Sequence, residues 1–317
     1  MHERVLVTGG TGFIGAHLVK KLVQKGAKVF VLNHPKVDTI RLNLISVLGS
    51  VCILPGDLYD RQSVRDAVKS SQPKTVYHLA ARGVRAKDSD LSAIAKVNII
   101  GSANILESCK EFKVKRLVWM GSGFEYSKNI SGPIDENGVI EPVTWYGATK
   151  VASWELARYF NREIELELVT LRLFSAFGPM EHLSRFIPYV ITRMIENKPV
   201  ELTSGEQERD YLYVDDIINA LVLLGEKPGI DGEVYNLGSR KTLAIKEIAQ
   251  LISYLVGSKS ELKIGVRLKQ RQEASRLLAN TTKIEKLGWK CLIDLREGLE
   301  KTINWYRENQ NIWERMI

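Results

Sequence analysis

Tyr146 and Lys150 lie four residues apart in Tyr146-Gly-Ala-Thr-Lys150, so on a helix they share one face. Pro142 or Thr144 can mark the start of that helix. A free phenol titrates near a pKa of about 10, too high for proton transfer at neutral pH. An ammonium one turn away favours the phenolate and brings that value down, which makes the pair an acid/base device. Taken alone, a tyrosine and a lysine at this spacing also arise by chance. Ser122 is the third candidate. It follows the apolar run Arg116–Met120, so its hydroxyl comes at the carboxyl edge of an expected strand. There it can hold a substrate oxygen while the phenol moves a proton; a Ser-Gly turn capping the strand is the plain alternative.

The first fifteen residues supply what such a site would work beside. Val5, Leu6 and Val7 form a short apolar run, Gly9, Gly10, Gly12 and Gly15 follow at once, and an amphipathic segment begins at Phe13. A strand that breaks into glycines and restarts as a helix gathers backbone N–H groups around an anion. The glycines serve a tight turn, close approach to a diphosphate, and close packing of helix on strand. Between a strand and a helix, the motif has the context that a dinucleotide site requires. A positively charged nicotinamide beside Tyr146 would add to the effect of Lys150 on the phenol.

The elements that must position these residues follow from alternation. Strands are expected at Arg4–Thr8, Lys28–Leu32, Val51–Leu54, Thr75–Leu79, Arg116–Met120 and Leu166–Leu173. Helices are expected at Phe13–Lys25, Arg61–Ser70, Leu91–Phe112 and Tyr146–Phe160. Strands alternating with helices predict an α/β fold, a Rossmann-like doubly wound parallel sheet covered on both faces. Such sheets bind ligands outside the carboxyl ends of their strands. After about Leu173 the rhythm becomes irregular: a Gly178-Pro179 turn, helices at Phe186–Asn197, Asp215–Gly225, Ile245–Val256 and Arg296–Glu308, and a short strand at Pro199–Leu202. A smaller mixed α/β lobe is expected there.

Composition narrows the classes. At 317 residues, with 44% hydrophobic and 26% charged, the chain is ordinary for a globular protein with a full core. Its net charge of +8 invites a nucleic-acid reading. Lysines and arginines are scattered among acids, however, with no basic run or aromatic-interleaved stripe, so no nucleic-acid partner is expected. Cys52, Cys109 and Cys291 are odd in number and far apart, which gives neither a disulfide framework nor a metal spacing. A reducing cytoplasm is the expected location, with no metal. The chain opens into a core strand and no apolar run approaches a membrane span, so no signal peptide or membrane partner is expected.

On these motifs the chain resembles an extended short-chain dehydrogenase/reductase, of the NAD-dependent epimerase/dehydratase family that acts on nucleotide sugars. The resemblance runs nearly end to end. It includes Thr8–Gly15, Gly56-Asp57-Leu58, His78-Leu79-Ala80-Ala81, Asn98 with Gly101, Ser122, Tyr146 with Lys150 and Leu171-Arg172-Leu173-Phe174. It continues through Gly178-Pro179, Arg209-Asp210-Tyr211, Val214-Asp215-Asp216, Tyr235-Asn236-Leu237-Gly238 and Leu287-Gly288-Trp289. The resemblance implies a dinucleotide-binding domain over residues 1–174, with a return near 210–238, and a discontinuous, mainly nucleotide-sugar-binding lobe over 175–317. It implies that Gly9, Gly12, Phe13, Ile14 and Gly15 hold the diphosphate, that Asp57 and Leu58 border the adenine, and that Ala80 and Ala81 line the cofactor path. Asn98 is implied to act from behind these contacts. Lys150 is implied to hold the nicotinamide ribose and tune Tyr146, the catalytic acid/base. Arg209 matches the arginine for the sugar-nucleotide phosphates, with Arg271 near a second; an ion pair of Arg209 with Asp210, Asp215 or Asp216 is the alternative. A homodimer through the helices Leu91–Phe112 and Tyr146–Phe160 is also implied.

Departures from the family pattern narrow the reaction. The second strand runs into Asn33-His34-Pro35-Lys36, where NAD-preferring members carry a carboxylate. Losing that carboxylate favours NADP(H), with His34, Lys36 or Arg41 facing a 2′-phosphate; with NAD, Asn33 would hydrogen-bond the ribose. Ser122 is followed by Gly123-Phe124, where 4,6-dehydratases carry an Asp-Glu pair, and Glu125 on an extended segment would point away. Dehydration is therefore not expected. Ser175 stands where asparagine is usual, and Asn280 where aspartate is usual, which alters the sugar-side contacts. Asn33 tilts the expectation towards a 4-ketoreductase of an NDP-4-keto-6-deoxyhexose, with hydride from NADPH and a proton from Tyr146. A 4-epimerase with retained NAD is the alternative. A non-catalytic dinucleotide- or RNA-binding relative is a third reading, opposed by the presence of Ser122, Tyr146 and Lys150.

Overall fold

The computed structural model describes residues 3–84, 88, 90–163, 165–267 and 274–316. The chain divides into two compact units, Met1–Glu125 with Trp145–Arg172 and Ile218–Tyr235, and Tyr126–Thr144 with Leu173–Ile217 and Asn236–Ile317. The first unit is built on the alternating segments. They give β1 (Arg4–Thr8), β2 (Lys28–Asn33), β3 (Cys52–Pro55), β4 (Thr75–His78), β5 (Arg116–Ser122) and β6 (Glu167–Leu173). A seventh strand, Val234–Leu237, joins the edge beside β6, and the parallel sheet runs Val234–Leu237, β6, β5, β4, β1, β2, β3. That strand carries no periodic signal long enough to be read from sequence. It is held by its partner: Thr170 N–H donates to the Glu233 carbonyl at 2.9 Å and Phe174 N–H to the Leu237 carbonyl at 3.1 Å.

Strands β1, β2 and β3 step one way, after which β4 returns to the other side of β1. The order therefore reverses between β1 and β4, which opens a crevice at their carboxyl ends. The register pairs the apolar centre of β1, Val5, Leu6 and Val7, with Val29, Phe30 and Val31 on one side and with Thr75, Val76 and Tyr77 on the other. A strand buried on both faces has no polar alternation to hold, hence the continuous β-branched runs. Leu6, Val76, Leu117, Trp119 and Ile105 form the centre of this core.

The helix expected over Leu91–Phe112 is interrupted. Leu91–Ala95 and Gly101–Glu111 are α-helical, and Lys96–Ile100 between them is a π-turn. One extra residue in the turn rotates the helix and brings Asn98 to face inward, where it is buried. Leu58 packs against Gly101, where a Cβ would fall 2.8 Å from the Leu58 Cβ.

The second unit holds short strand pairs and three longer helices, Phe186–Ile195, Ile245–Val256 and Leu295–Glu308. Ser175–Phe177 pairs in parallel with Tyr211–Tyr213, and Glu208–Arg209 lies between Leu243–Ala244 and Arg276–Leu277. Asp210 anchors this unit: its carboxylate accepts from Ser239 N–H and Oγ, Arg240 N–H and Ala279 N–H. Gly238 is required beside it, because a Cβ there would sit 2.4 Å from Asp210 Oδ2. Among the described residues, no helix is long and apolar enough to cross a membrane.

Candidate active site

The glycine turn after β1 has the shape of a diphosphate cradle. Gly9 sits at φ +70°, and a Cβ on it would lie 2.8 Å from the Ala80 nitrogen at the end of β4. At Gly15 a Cβ would lie 2.0 Å from the Gly9 carbonyl oxygen, whose partner is the Gly12 N–H at 3.0 Å. Gly12 caps the helix Phe13–Gln24 without a side-chain cap, so the N–H groups of Phe13, Ile14 and Gly15 open that helix uncovered by a side chain. Uncapped donors, a positive helix end and space too small for any Cβ together fit a dinucleotide diphosphate.

Asn33, at the end of β2, is drawn into the protein. Its Oδ1 accepts from the Thr11 hydroxyl at 2.8 Å, and its Nδ2 donates to the carbonyls of His34 at 3.2 Å and Val37 at 2.8 Å. The amide therefore braces the turn that follows rather than standing open towards a ribose. His34 is also engaged: Nε2 meets Asp57 Oδ2 at 3.1 Å and Nδ1 accepts from the Lys36 N–H at 3.1 Å. Lys36 itself is exposed.

Behind Ala80 and Ala81 runs a buried polar chain that sequence reading missed. Ala80 N–H donates to Thr8 Oγ1 at 3.3 Å, and Thr8 Oγ1 meets His78 Nδ1 at 2.8 Å. His78 Nε2 meets Ser102 Oγ at 3.0 Å, and Ser102 donates to the Asn98 carbonyl at 2.6 Å. Because Ser102 and Ala80 donate outward and inward respectively, the consistent assignment puts the proton of His78 on Nε2. Burial and the neighbouring Lys150 push the His78 pKa down to about 3, so the ring stays neutral. Asn98 clamps the loop beyond β4: its Oδ1 accepts from Arg82 N–H at 2.8 Å, while Nδ2 donates to the Arg82 carbonyl at 2.9 Å and Thr149 Oγ1 at 2.9 Å. Thr149 precedes Lys150 on the helix Trp145–Asn161, so Asn98 ties the loop beyond β4 to the helix that carries Tyr146 and Lys150.

Ser122 is buried as the last residue of β5, which runs two residues beyond the expected Met120. The next residues are not extended. Gly123–Glu125 form a 3-10 turn in which Phe124 N–H donates to Ser122 Oγ at 3.2 Å. Phe124 then meets the Tyr146 ring edge-on at a centroid distance of 6.4 Å. The turn also corrects the expectation for Glu125, whose carboxylate curls back instead of pointing away. Its Oε1 accepts the Ser122 N–H at 2.7 Å and its Oε2 accepts Arg172 Nε at 2.7 Å. Lys150 is buried, with its Nζ 5.7 Å from the centre of the Trp119 ring on β5. Burial lowers its pKa to about 8, against an opposing pull from Glu125. Ser122, Phe124, Tyr146 and Lys150 thus gather around the end of β5 and the first turns of one helix.

In the second unit, Ser175 begins its strand half-buried. Arg209 is buried, and its Nη1 donates to the carbonyls of Glu208 at 2.8 Å and Ala274 at 3.0 Å. Asn280 lies just ahead of the short helix Thr282–Glu285, its Oδ1 accepting from Thr282 N–H at 3.0 Å. Arg271 lies outside the described residues. Among the described residues there is no cluster suited to a metal ion.

A Rossmann-type sheet with a glycine cradle at its switch point and a Ser–Tyr–Lys set beside it defines a dinucleotide-dependent oxidoreductase. The chain belongs to the NAD dependent epimerase/dehydratase family, whose model matches residues 5–238. Its relatives are extended short-chain dehydrogenase/reductase enzymes of nucleotide sugars, and the non-catalytic reading falls away. A putative UDP-glucose 4-epimerase of Methanocaldococcus jannaschii is 30% identical, with 96% of this chain and 99% of that one aligned. A human dTDP-D-glucose 4,6-dehydratase is 27% identical over 98% and 92% of the respective chains. Among solved structures, a Thermotoga maritima UDP-glucose 4-epimerase with UDP-glucose superposes with a TM-score of 0.89 at 28% identity, covering 96% of this chain and 99% of that one. A Thermus thermophilus UDP-glucose 4-epimerase in complex with NAD gives 0.88 at 26% identity, again covering 96% and 99%.

Proposed function

We propose that the protein is a nucleotide-sugar 4-epimerase that keeps its NAD bound through the catalytic cycle. In this reading Tyr146 takes the proton from the sugar hydroxyl and later returns it, while Ser122 hydrogen-bonds the same oxygen. Lys150 favours the phenolate and holds the nicotinamide ribose. The dinucleotide, held by its diphosphate at the glycine turn, would supply the chemistry of accepting and returning hydride. Gly9, Gly12, Phe13, Ile14 and Gly15 would hold its diphosphate, with Asp57, Leu58, Ala80 and Ala81 along its length. Arg209, Ser175 and Arg271 are the chain's candidates for the sugar nucleotide.

One observation carries the reading. The turn beside Tyr146 offers Gly123 and Phe124 and no free acid, and Glu125 is held by Arg172 and the Ser122 backbone. One phenol handles the proton, which suits oxidation and reduction at a single carbon and not expulsion of water. The relatives include UDP-glucose 4-epimerases, which supports the epimerase, and His34, one of the side chains that would face a 2′-phosphate, is engaged with Asp57. A second reading, 4-ketoreduction of an NDP-4-keto-6-deoxyhexose with NADPH, is favoured by the missing carboxylate at Asn33 and by the apolar ring of Phe124 beside the phenol.

The test is product analysis with a panel of nucleotide sugars and 4-keto sugars. Interconversion of two sugars without net cofactor use is the expected result. Stoichiometric oxidation of NADPH with a 4-keto sugar would overturn it in favour of the reductase. We also infer a homodimer through the helices that carry Ile100, Leu156 and Tyr159, which are 49%, 44% and 65% exposed. The three cysteines are free, which suits a reducing cytoplasm.

A further inference from the structure

Glu125 is a charge that the proton chemistry leaves unused. It is 0% exposed, and its partner Arg172 is 1% exposed. The carboxylate is divided between two tasks: Oε1 accepts from the Ser122 N–H and Oε2 from Arg172 Nε, each at 2.7 Å. Arg172 in turn stacks its guanidinium carbon 4.5 Å from the centre of the Trp154 ring, on the helix that carries Tyr146 and Lys150. Room for this arrangement is kept by Gly121, where a Cβ would fall 2.9 Å from both Glu125 Oε1 and Arg172 Cγ.

A buried ion pair is a poor device for stability, because an apolar pair of similar volume folds as well or better. The position asks for another role, and the geometry names it. We propose that Glu125 is a positioning residue of this active site: it fixes Ser122 at the end of β5 and, through Arg172 and its stacking on Trp154, holds the helix that carries Tyr146 and Lys150. The proposal rests on Ser122, Tyr146 and Lys150 being the proton-handling set.

Among the charges around Lys150, Glu125 also has the sign that favours its ammonium. Arg172 on β6 carries the same sign as Lys150. His78 on β4 is neutral, and its pKa near 3 keeps it so throughout the working range. Lys96 on the π-turn and Glu107, Lys110 and Glu111 on the following helix are exposed to solvent. Burial of Lys150 favours the neutral amine, and Glu125 is the opposing charge. Without it, Lys150 would lose its proton at a lower pH, and Tyr146 would lose the cation that favours its phenolate.

The first experiment needs no substrate, so it stays informative even if the assigned reaction is wrong. The phenolate of Tyr146 is titrated by ultraviolet difference spectroscopy, subtracting the Tyr146→Phe protein, with Glu125 intact and in Glu125→Gln. Glutamine keeps the shape and an oxygen for the Ser122 N–H but removes the charge. The expected result is a Tyr146 phenolate titration displaced by about one pH unit in Glu125→Gln, because the charge beside Lys150 and the placement of Ser122 change together. An unshifted titration would overturn the proposal.

Should Glu125→Gln fail to fold, the double variant Glu125→Leu with Arg172→Met removes both charges at once and avoids a lone buried charge. It is expected to melt no lower than the parent while kcat falls about tenfold or more with KM little changed, since Ser122 has lost its tether. Parental kcat in that folded variant would also overturn the proposal. A parent protein inactive on every nucleotide sugar would instead count against the proposed function, and the titration would still decide the role of Glu125.

Discussion

Replacing Gly15 by alanine tests the cofactor cradle with a single methyl group. The added Cβ would lie 2.0 Å from the Gly9 carbonyl oxygen and 2.8 Å from the Gly10 Cα. That is about 1.4 Å inside the 3.4 Å at which ordinary contact begins. Neither side gives easily. The Gly9 carbonyl accepts the Gly12 N–H at 3.0 Å, and Gly9 itself is pinned at φ +70° against the Ala80 backbone. Overpacking of this kind costs about 1–3 kcal/mol. Relief requires the helix start to move away from the turn, which scatters the donors that would face the diphosphate. At about 1.4 kcal/mol per tenfold, dinucleotide affinity should fall by about ten- to a hundredfold. Calorimetric titration of dinucleotide into protein freed of endogenous cofactor measures this, with a thermal melt alongside. Gly12→Ala, whose Cβ would stop 3.2 Å from the same carbonyl, should show a smaller loss. Gly49→Ala, with nothing within 4 Å, should bind as the parent does. Parental affinity in Gly15→Ala would refute the assignment of this turn as the diphosphate site.

Tyr146→Phe should retain dinucleotide binding and lose turnover by about 10²–10⁴-fold, the usual weight of a positioned acid/base; steady-state kinetics with calorimetric binding will check it. Lys150→Met should also abolish turnover, yet raise the melting temperature of the cofactor-free protein at neutral pH. A lysine whose folded pKa of about 8 lies below the free value of 10.5 opposes folding by about 3 kcal/mol below pH 8, and the penalty fades as pH rises between those values. His78 gives the acid limb: its folded pKa of about 3 lies below the free 6.5, so the unfolded chain binds the extra proton and stability falls as pH drops from 6.5 towards 3. Melting curves across that window should be steeper in pH for the parent than for His78→Gln. Equal slopes would show that another group governs the acid transition.

The parts of this site that were readable from sequence are those whose chemistry is local. Gly9, Gly12 and Gly15 announce themselves by spacing, and Tyr146 with Lys150 by helical periodicity. Asn33 was readable as a residue but not as a contact, because its fate depends on Thr11 and on the carbonyls of His34 and Val37. The direction of Glu125 is not legible in sequence, because Gly123–Glu125 coil into a 3-10 turn where an extended segment is expected. The π-turn at Lys96–Ile100 and the strand Val234–Leu237 leave no periodic trace, since both are imposed by packing. His78 was visible within a family motif, but its link to Thr8 and Ser102 spans 70 and 24 residues and is formed only by the fold.

The most direct measurement is the absorbance of reduced nicotinamide when a nucleotide sugar is mixed with protein loaded with oxidised NAD. A transient rise that decays as the epimeric sugar appears, and that is absent in Tyr146→Phe, is the predicted result. A sugar converted at full rate by Tyr146→Phe, or without any reduced nicotinamide at single turnover, would contradict the account.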